Sequence, residues 1–144
     1  MINTSGYMHL QIQNYNAVSH SDITIPDDEK LNIIFNAVIE YYKADSDGVK
    51  SPSRRYIYVR PRQICMYYMR RVGGGVTLQI IGDYFGGYDH TSVIHSSQVV
   101  ENIIEVDAVF RAEVAAIGRK IAASGVLCTK QVSKFRAKKH SLTT

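Results

Sequence analysis

The residues best equipped for chemistry crowd into one short run: Asp89, His90, Thr91, Ser92 and, a little further on, His95. An acid beside two histidines suggests a metal or a proton relay, but the spacing argues against both. Side chains that share a helix face sit three or four residues apart, whereas His90 and His95 are five apart and diverge. No nucleophile–base pair and no isolated pair of carboxylates stands out in the chain. The expectation is a protein that is not an enzyme and holds no metal and no cofactor. What remains is recognition. Thr and Ser hydroxyls serve phosphates, and a Thr methyl can touch a thymine methyl. Small side chains let a helix sit close in a major groove, and a helix N-terminus adds N–H groups and a positive dipole end.

Those residues need a scaffold. Pro26-Asp27-Asp28-Glu29 reads as a helix start. Leu31, Ile34, Phe35, Val38, Ile39 and Tyr42 then recur at helical spacing, so a helix is expected near 27–43. Residues 44–53, ADSDGVKSPS, read as a turn-rich loop. Residues 54–60 alternate like a short strand, and Pro61 is expected to open a helix that runs to about Val72 and stops at Gly73-Gly74-Gly75. Thr77 is a plausible N-cap for a short helix to Phe85, with Leu78, Ile81 and Phe85 inward. Gly86-Gly87 breaks it. A third helix begins near Asp89 or His90, with Val93, Ile94, Ser97 and Val100 expected on its inner face. A last helix near 107–123 places Phe110, Val114, Ile117 and Ile121 on one side. The fold class is therefore all-α: an arm over 1–26, a helical domain over 27–123 and a basic tail over 124–144. Two helices at a tight glycine turn, the second opening with small polar residues, fit a helix–turn–helix.

Size and charge agree. The chain has 144 residues, 45% apolar, with a net charge of +4. That is one domain of ordinary size, and no apolar run approaches the ~20 residues that cross a bilayer. The start of the chain lacks the features of a secretory signal. Cys65 and Cys128 match no metal or redox spacing, so a cytoplasmic location is expected. The charge comes in blocks: residues 50–71 hold seven basic and no acidic side chains, residues 114–144 the same, and the stretches between and before them are each net −5. Acid-free basic stretches suit a polyanion, because Lys and Arg replace the counterions condensed on phosphate. A solvated surface and tail would give the same pattern. Tyr56 and Tyr58, set between arginines, suit either core packing or stacking on a sugar or base, with packing favoured.

At this point the residues become familiar. Arg60-Pro61-Arg62-Gln63-Ile64, followed by Ile81-Gly82-Asp83-Tyr84-Phe85-Gly86-Gly87-Tyr88-Asp89-His90-Thr91-Ser92-Val93-Ile94-His95, resembles the C-terminal DNA-binding domain of the bacterial chromosomal replication initiator, DnaA. The resemblance covers about 27–110 and is densest from Arg54 to Ser97. It implies a helical domain similar in plan to the Trp repressor, and duplex DNA of the TTATNCACA kind as its ligand. It implies that Asp89, His90, Thr91, Ser92 and His95 read bases and phosphates from the recognition helix. Arg54, with Arg55 beside it in the basic loop, is implied to serve the minor groove. Arg62, Gln63, Arg70, Thr77 and Leu78 are implied to contact the DNA backbone or its neighbourhood.

The departures are informative. The family arginine before Asp-His-Thr is Tyr88 here, the second threonine is Ser92, the loop ending at Val76 is one residue longer, and Gln98-Val99 replaces a basic pair. No G-x-x-x-x-G-K-[S/T] string exists, so no nucleotide is expected to bind. Met1 and the unrelated ends point to a stand-alone protein acting in replication control or transcription regulation. The alternative is an interaction module that binds the replication initiator or the transcription machinery and touches DNA only weakly. A palindromic preferred site would indicate a dimer and a single asymmetric box a monomer.

Overall fold

The computed structural model describes residues 25–71 and 76–126, and among them every regular element is a helix. In order these are α1 Asp27–Tyr42, α2 Ser46–Lys50, α3 Tyr56–Arg71, α4 Leu78–Tyr84, α5 His90–Val106 and α6 Ala108–Ala123. The arm up to residue 24, the glycine turn 73–75 and the basic tail from 127 onward lie outside the described residues.

The helix starts have local causes. Asp27, Asp28 and Glu29 occupy the first turn of α1, where carboxylates meet the positive end of the helix. The Thr77 hydroxyl accepts from the Ile80 N–H at 3.2 Å and opens α4. Asp89 accepts from the Ser92 N–H at 2.7 Å and opens α5. Asp107 accepts from the Phe110 N–H at 3.0 Å and opens α6, while its own N–H closes α5 on the Ile103 carbonyl at 2.9 Å. Each cap satisfies a donor that the helix itself leaves unpaired.

Two sequence expectations are corrected around α3. The loop expected over 44–53 contains α2, a five-residue helix capped by the Asp45 carboxylate, which accepts from the Gly48 N–H at 2.9 Å. Its purpose is Val49, which is fully buried. Two apolar residues in ten, Ala44 and Val49, leave no period to detect. The strand-like alternation of residues 54–60 is also overridden. The chain is already helical from Tyr56, with the Tyr58 and Val59 N–H groups both donating to the Arg55 carbonyl at 2.9 Å. Pro61 is thus inside the helix, not at its first position. Its ring removes the bond that would have reached the Ile57 carbonyl, and its own burial offsets that loss.

α3 is the hub, packed against α1, α2, α4 and α5. It buries Ile64, Cys65, Met66, Tyr67, Tyr68 and Met69 in unbroken succession. α6 packs on α1 and α5 and brings in Phe110, Val114, Ile117 and Ile121. Phe85, at the end of α4, meets the Phe35 ring edge-on at 6.1 Å and seats the short helix on α1. Cys65 is a fully buried small apolar residue, and burial pushes its thiol up and keeps it protonated.

Candidate nucleic-acid interface

The turn between α4 and α5 is built around one carbonyl. The Gly82 oxygen accepts from the N–H groups of Phe85 at 3.2 Å and of Gly87 and Tyr88 at 3.0 Å. To fold back this tightly the chain passes through φ of 91° at Gly86 and 107° at Gly87, where a Cβ would be strained. A second tie runs between the side chains of the two helices. Gln79 donates its amide N–H to Asp83 at 2.9 Å, which leaves its oxygen facing His90 Nε2 at 3.0 Å. That nitrogen therefore carries the proton. Gln79 gave no signal in the sequence, because an exposed polar residue on a short helix has no distinguishing context.

α5 has two sharply different faces. Val93, Ser97 and Val100 are fully buried and fix the helix on the core. Thr91, Ile94, His95 and Gln98 point away from it and are exposed, at the spacing of one helical stripe. Ile94 is a correction: the sequence placed it inward, yet it is 41% exposed. Val93 occupies the buried position, and one residue on is a rotation of about 100°. Asp89 and His90 are exposed at the helix start, and Ser92 is half-buried behind them.

Asp89 is engaged as a cap. Hydrogen bonding from Ser92, its backbone N–H foremost, holds the carboxyl below its ordinary range. A depressed acid stabilises the fold above the unfolded-state pKa, about 3.9. That contribution is lost as pH falls through the folded-state value. Asparagine keeps the cap without the charge. The denaturation midpoint of the wild type is therefore expected to fall more steeply than that of Asp89→Asn between neutral pH and about pH 3. Parallel midpoints in a urea titration would overturn the charged cap.

The basic candidates divide. Arg54, Arg55 and Arg70 are exposed, and Gln63 is half-buried. Arg62 is 6% exposed and turned inward. Its Nε donates to the Val49 carbonyl at 2.7 Å and its Nη2 to the Ser51 carbonyl at 2.7 Å. It is tied up in holding the loop and does not present its charge to solvent. Thr77 is exposed with its hydroxyl spent on the cap, and Leu78 is half-buried against the core. Tyr56, expected to pack, is 68% exposed, with the Arg60 guanidinium 5.0 Å from its ring centroid.

A buried ion pair that sequence reasoning passed over sets the position of α5. Arg71, the last residue of α3, pairs with Glu101 on α5. It also donates to the Ser97 hydroxyl at 2.8 Å and the Tyr67 carbonyl at 3.0 Å, with its guanidinium 3.9 Å from the Tyr67 ring centroid. Ser97, read only as a small inward residue, is the polar seat for that arginine.

A short helix, a glycine turn and a second helix whose inner face is clamped and whose outer face is free define a helix–turn–helix domain of the DNA-binding class. Residues 31–100 match the family described as the bacterial dnaA protein helix-turn-helix. The chromosomal replication initiator protein DnaA of Thermomicrobium roseum is 35% identical over 89 residues. That match covers 62% of this chain and 19% of the relative, so the chain spans about a fifth of that protein's length. A solved structure titled as that of a DNA replication initiation factor superposes with a TM-score of 0.58 at 25% identity, covering 83% of this chain and 33% of the other. Over residues 31–100, just under half of its length, the chain is thus similar to the DnaA helix–turn–helix family. No helix among the described residues is long and apolar enough to cross a membrane.

Proposed function

We propose that the chain binds duplex DNA with sequence preference, laying the first turns of α5 in the major groove of a TTATNCACA-type box, in the service of replication control. The observation that carries this reading is the outer face of α5. Thr91, Ile94, His95 and Gln98 are exposed on a helix whose other side is anchored by fully buried Val93, Ser97 and Val100. These side chains are the kinds that read base edges: a hydroxyl and methyl, an aliphatic surface for thymine methyl, an imidazole and an amide. Arg54, Arg55 and Arg70 supply exposed charge for minor groove and phosphate. Arg62 acts through the loop it holds.

The test is fluorescence anisotropy with a labelled box duplex and a scrambled duplex at two salt concentrations. A preference of tenfold or more, ~1.4 kcal/mol, is expected. Thr91→Ala is the cleaner base-reading probe, because His90 is also tied to Gln79. It is expected to cost ~1–3 kcal/mol on the box and little on the scrambled duplex, whereas Arg70→Ala weakens both and lowers the salt slope by about 1. If Thr91→Ala weakens both duplexes alike, α5 is not the reader. Absence of binding to either duplex would favour the protein-interaction module.

A further inference from the structure

Tyr88 stands where the sequence pattern calls for an arginine, and the structure gives its side chain a different occupation. Its hydroxyl donates to the Ser51 carbonyl at 3.1 Å. The same carbonyl receives Arg62 Nη2 at 2.7 Å, and the Arg62 guanidinium lies 5.5 Å from the Tyr88 ring centroid. Beyond Ser51 the bonds continue along the loop. The Ser53 N–H donates to the Ser51 hydroxyl at 3.2 Å, and the Arg55 N–H to the Ser53 hydroxyl at 3.3 Å. On the other side, the backbone of Tyr88 is fixed by its bond to Gly82 and directly precedes Asp89, the cap of α5.

We propose that Tyr88 is a positioning residue: its hydroxyl fixes the spacing between the Arg54–Arg55 segment and the N-terminus of α5, so that both meet one duplex in register. The inference rests on the DNA-reading function proposed above and deepens it. An arginine at this position would offer its charge to a phosphate; the tyrosine gives up that contact and orders the arm instead. Two surfaces that must land together bind more tightly when their separation is set beforehand, because less conformational entropy is lost on binding.

Tyr88→Phe removes the hydroxyl and keeps the ring over Arg62. Its affinity for the box duplex is expected to fall about fivefold, with the domain still folded at the assay temperature by circular dichroism and only a small drop in melting temperature for the one lost hydrogen bond. In an Arg54→Ala/Arg55→Ala background the same substitution is expected to have no effect, since the arm it positions no longer has a charge to deliver. Trypsin cleavage after Arg54 and Arg55 in the free protein is expected to accelerate in Tyr88→Phe. An equal loss in the double-alanine background would overturn the proposal, because Tyr88 would then act elsewhere. Unchanged affinity in Tyr88→Phe, with the wild-type box preference intact, would overturn it and leave the DNA-reading function standing. If the wild type binds neither duplex, both fall, and the trypsin rate still tells whether the hydroxyl holds the loop.

Discussion

Glu101→Ala is expected to destabilise the domain by about 3–5 kcal/mol, the cost of removing one partner of a buried ion pair. Arg71 is 5% exposed and stays where it is, because its stem belongs to α3 and its Nη1 remains bonded to both the Ser97 hydroxyl and the Tyr67 carbonyl. Its charge would then lose the Glu101 carboxylate. Against a total stability of about 5–15 kcal/mol, that loss is a large fraction of the fold. A paired apolar replacement, Arg71→Met with Glu101→Leu, removes both charges and is expected to be near neutral or stabilising. Urea unfolding followed by circular dichroism separates the two. A loss under about 1 kcal/mol for Glu101→Ala would show that the pair is solvated and does not clamp α5. The double variant also asks what the pair is for. If it is stable yet has lost the box preference, the ions serve the orientation of the recognition helix more than its stability.

That pair marks where the sequence stops being legible. Helix starts are written locally: Thr77 and Asp89 announce themselves because a cap is a side chain reaching three residues ahead, and both caps are in place. The long amphipathic stretches of α1 and α6 are legible for the same reason, one face repeating every three or four residues. Charge is not local in this way. Residues 50–71 read as a uniform basic block, yet its members do different things. Arg62 and Arg71 are buried, one on loop carbonyls and one on a carboxylate thirty residues further along. Lys50 lies 4.2 Å from the Tyr84 ring centroid and 4.9 Å from that of Phe35. Only the folded chain shows that Lys50, Arg54, Arg55 and Arg70 are the exposed basic members of that block. Ile94 failed for a related reason. Val93-Ile94 is an apolar doublet, and a helix can bury one member fully only by turning the other toward its flank.

Gly82→Ala is expected to disrupt the helix–turn–helix itself. A Cβ built on Gly82 would stand 2.0 Å from the Tyr88 carbonyl oxygen, an impossible approach, and the obstacle is backbone that no rotamer change can clear. The usual bias runs the other way, since alanine inside a helix is favoured over glycine by about 1 kcal/mol. Destabilisation must therefore overcome that gain, and an overpacked core costs about 1–3 kcal/mol or more. The turn is where the shift must be absorbed, because Phe85, Gly87 and Tyr88 all hydrogen-bond to the Gly82 carbonyl. Displacing Tyr88 moves Asp89 and the start of α5 with it, so box binding is expected to fall by more than the stability change alone implies. Gly87→Ala is the matched control. It meets no atom within 4 Å and suffers only from its φ of 107°, so it strains the backbone without pushing the two helices apart. Thermal melts and box anisotropy on both variants decide the matter. If Gly82→Ala binds the box as the wild type does, the close contact between α4 and the turn is not what orients the recognition helix.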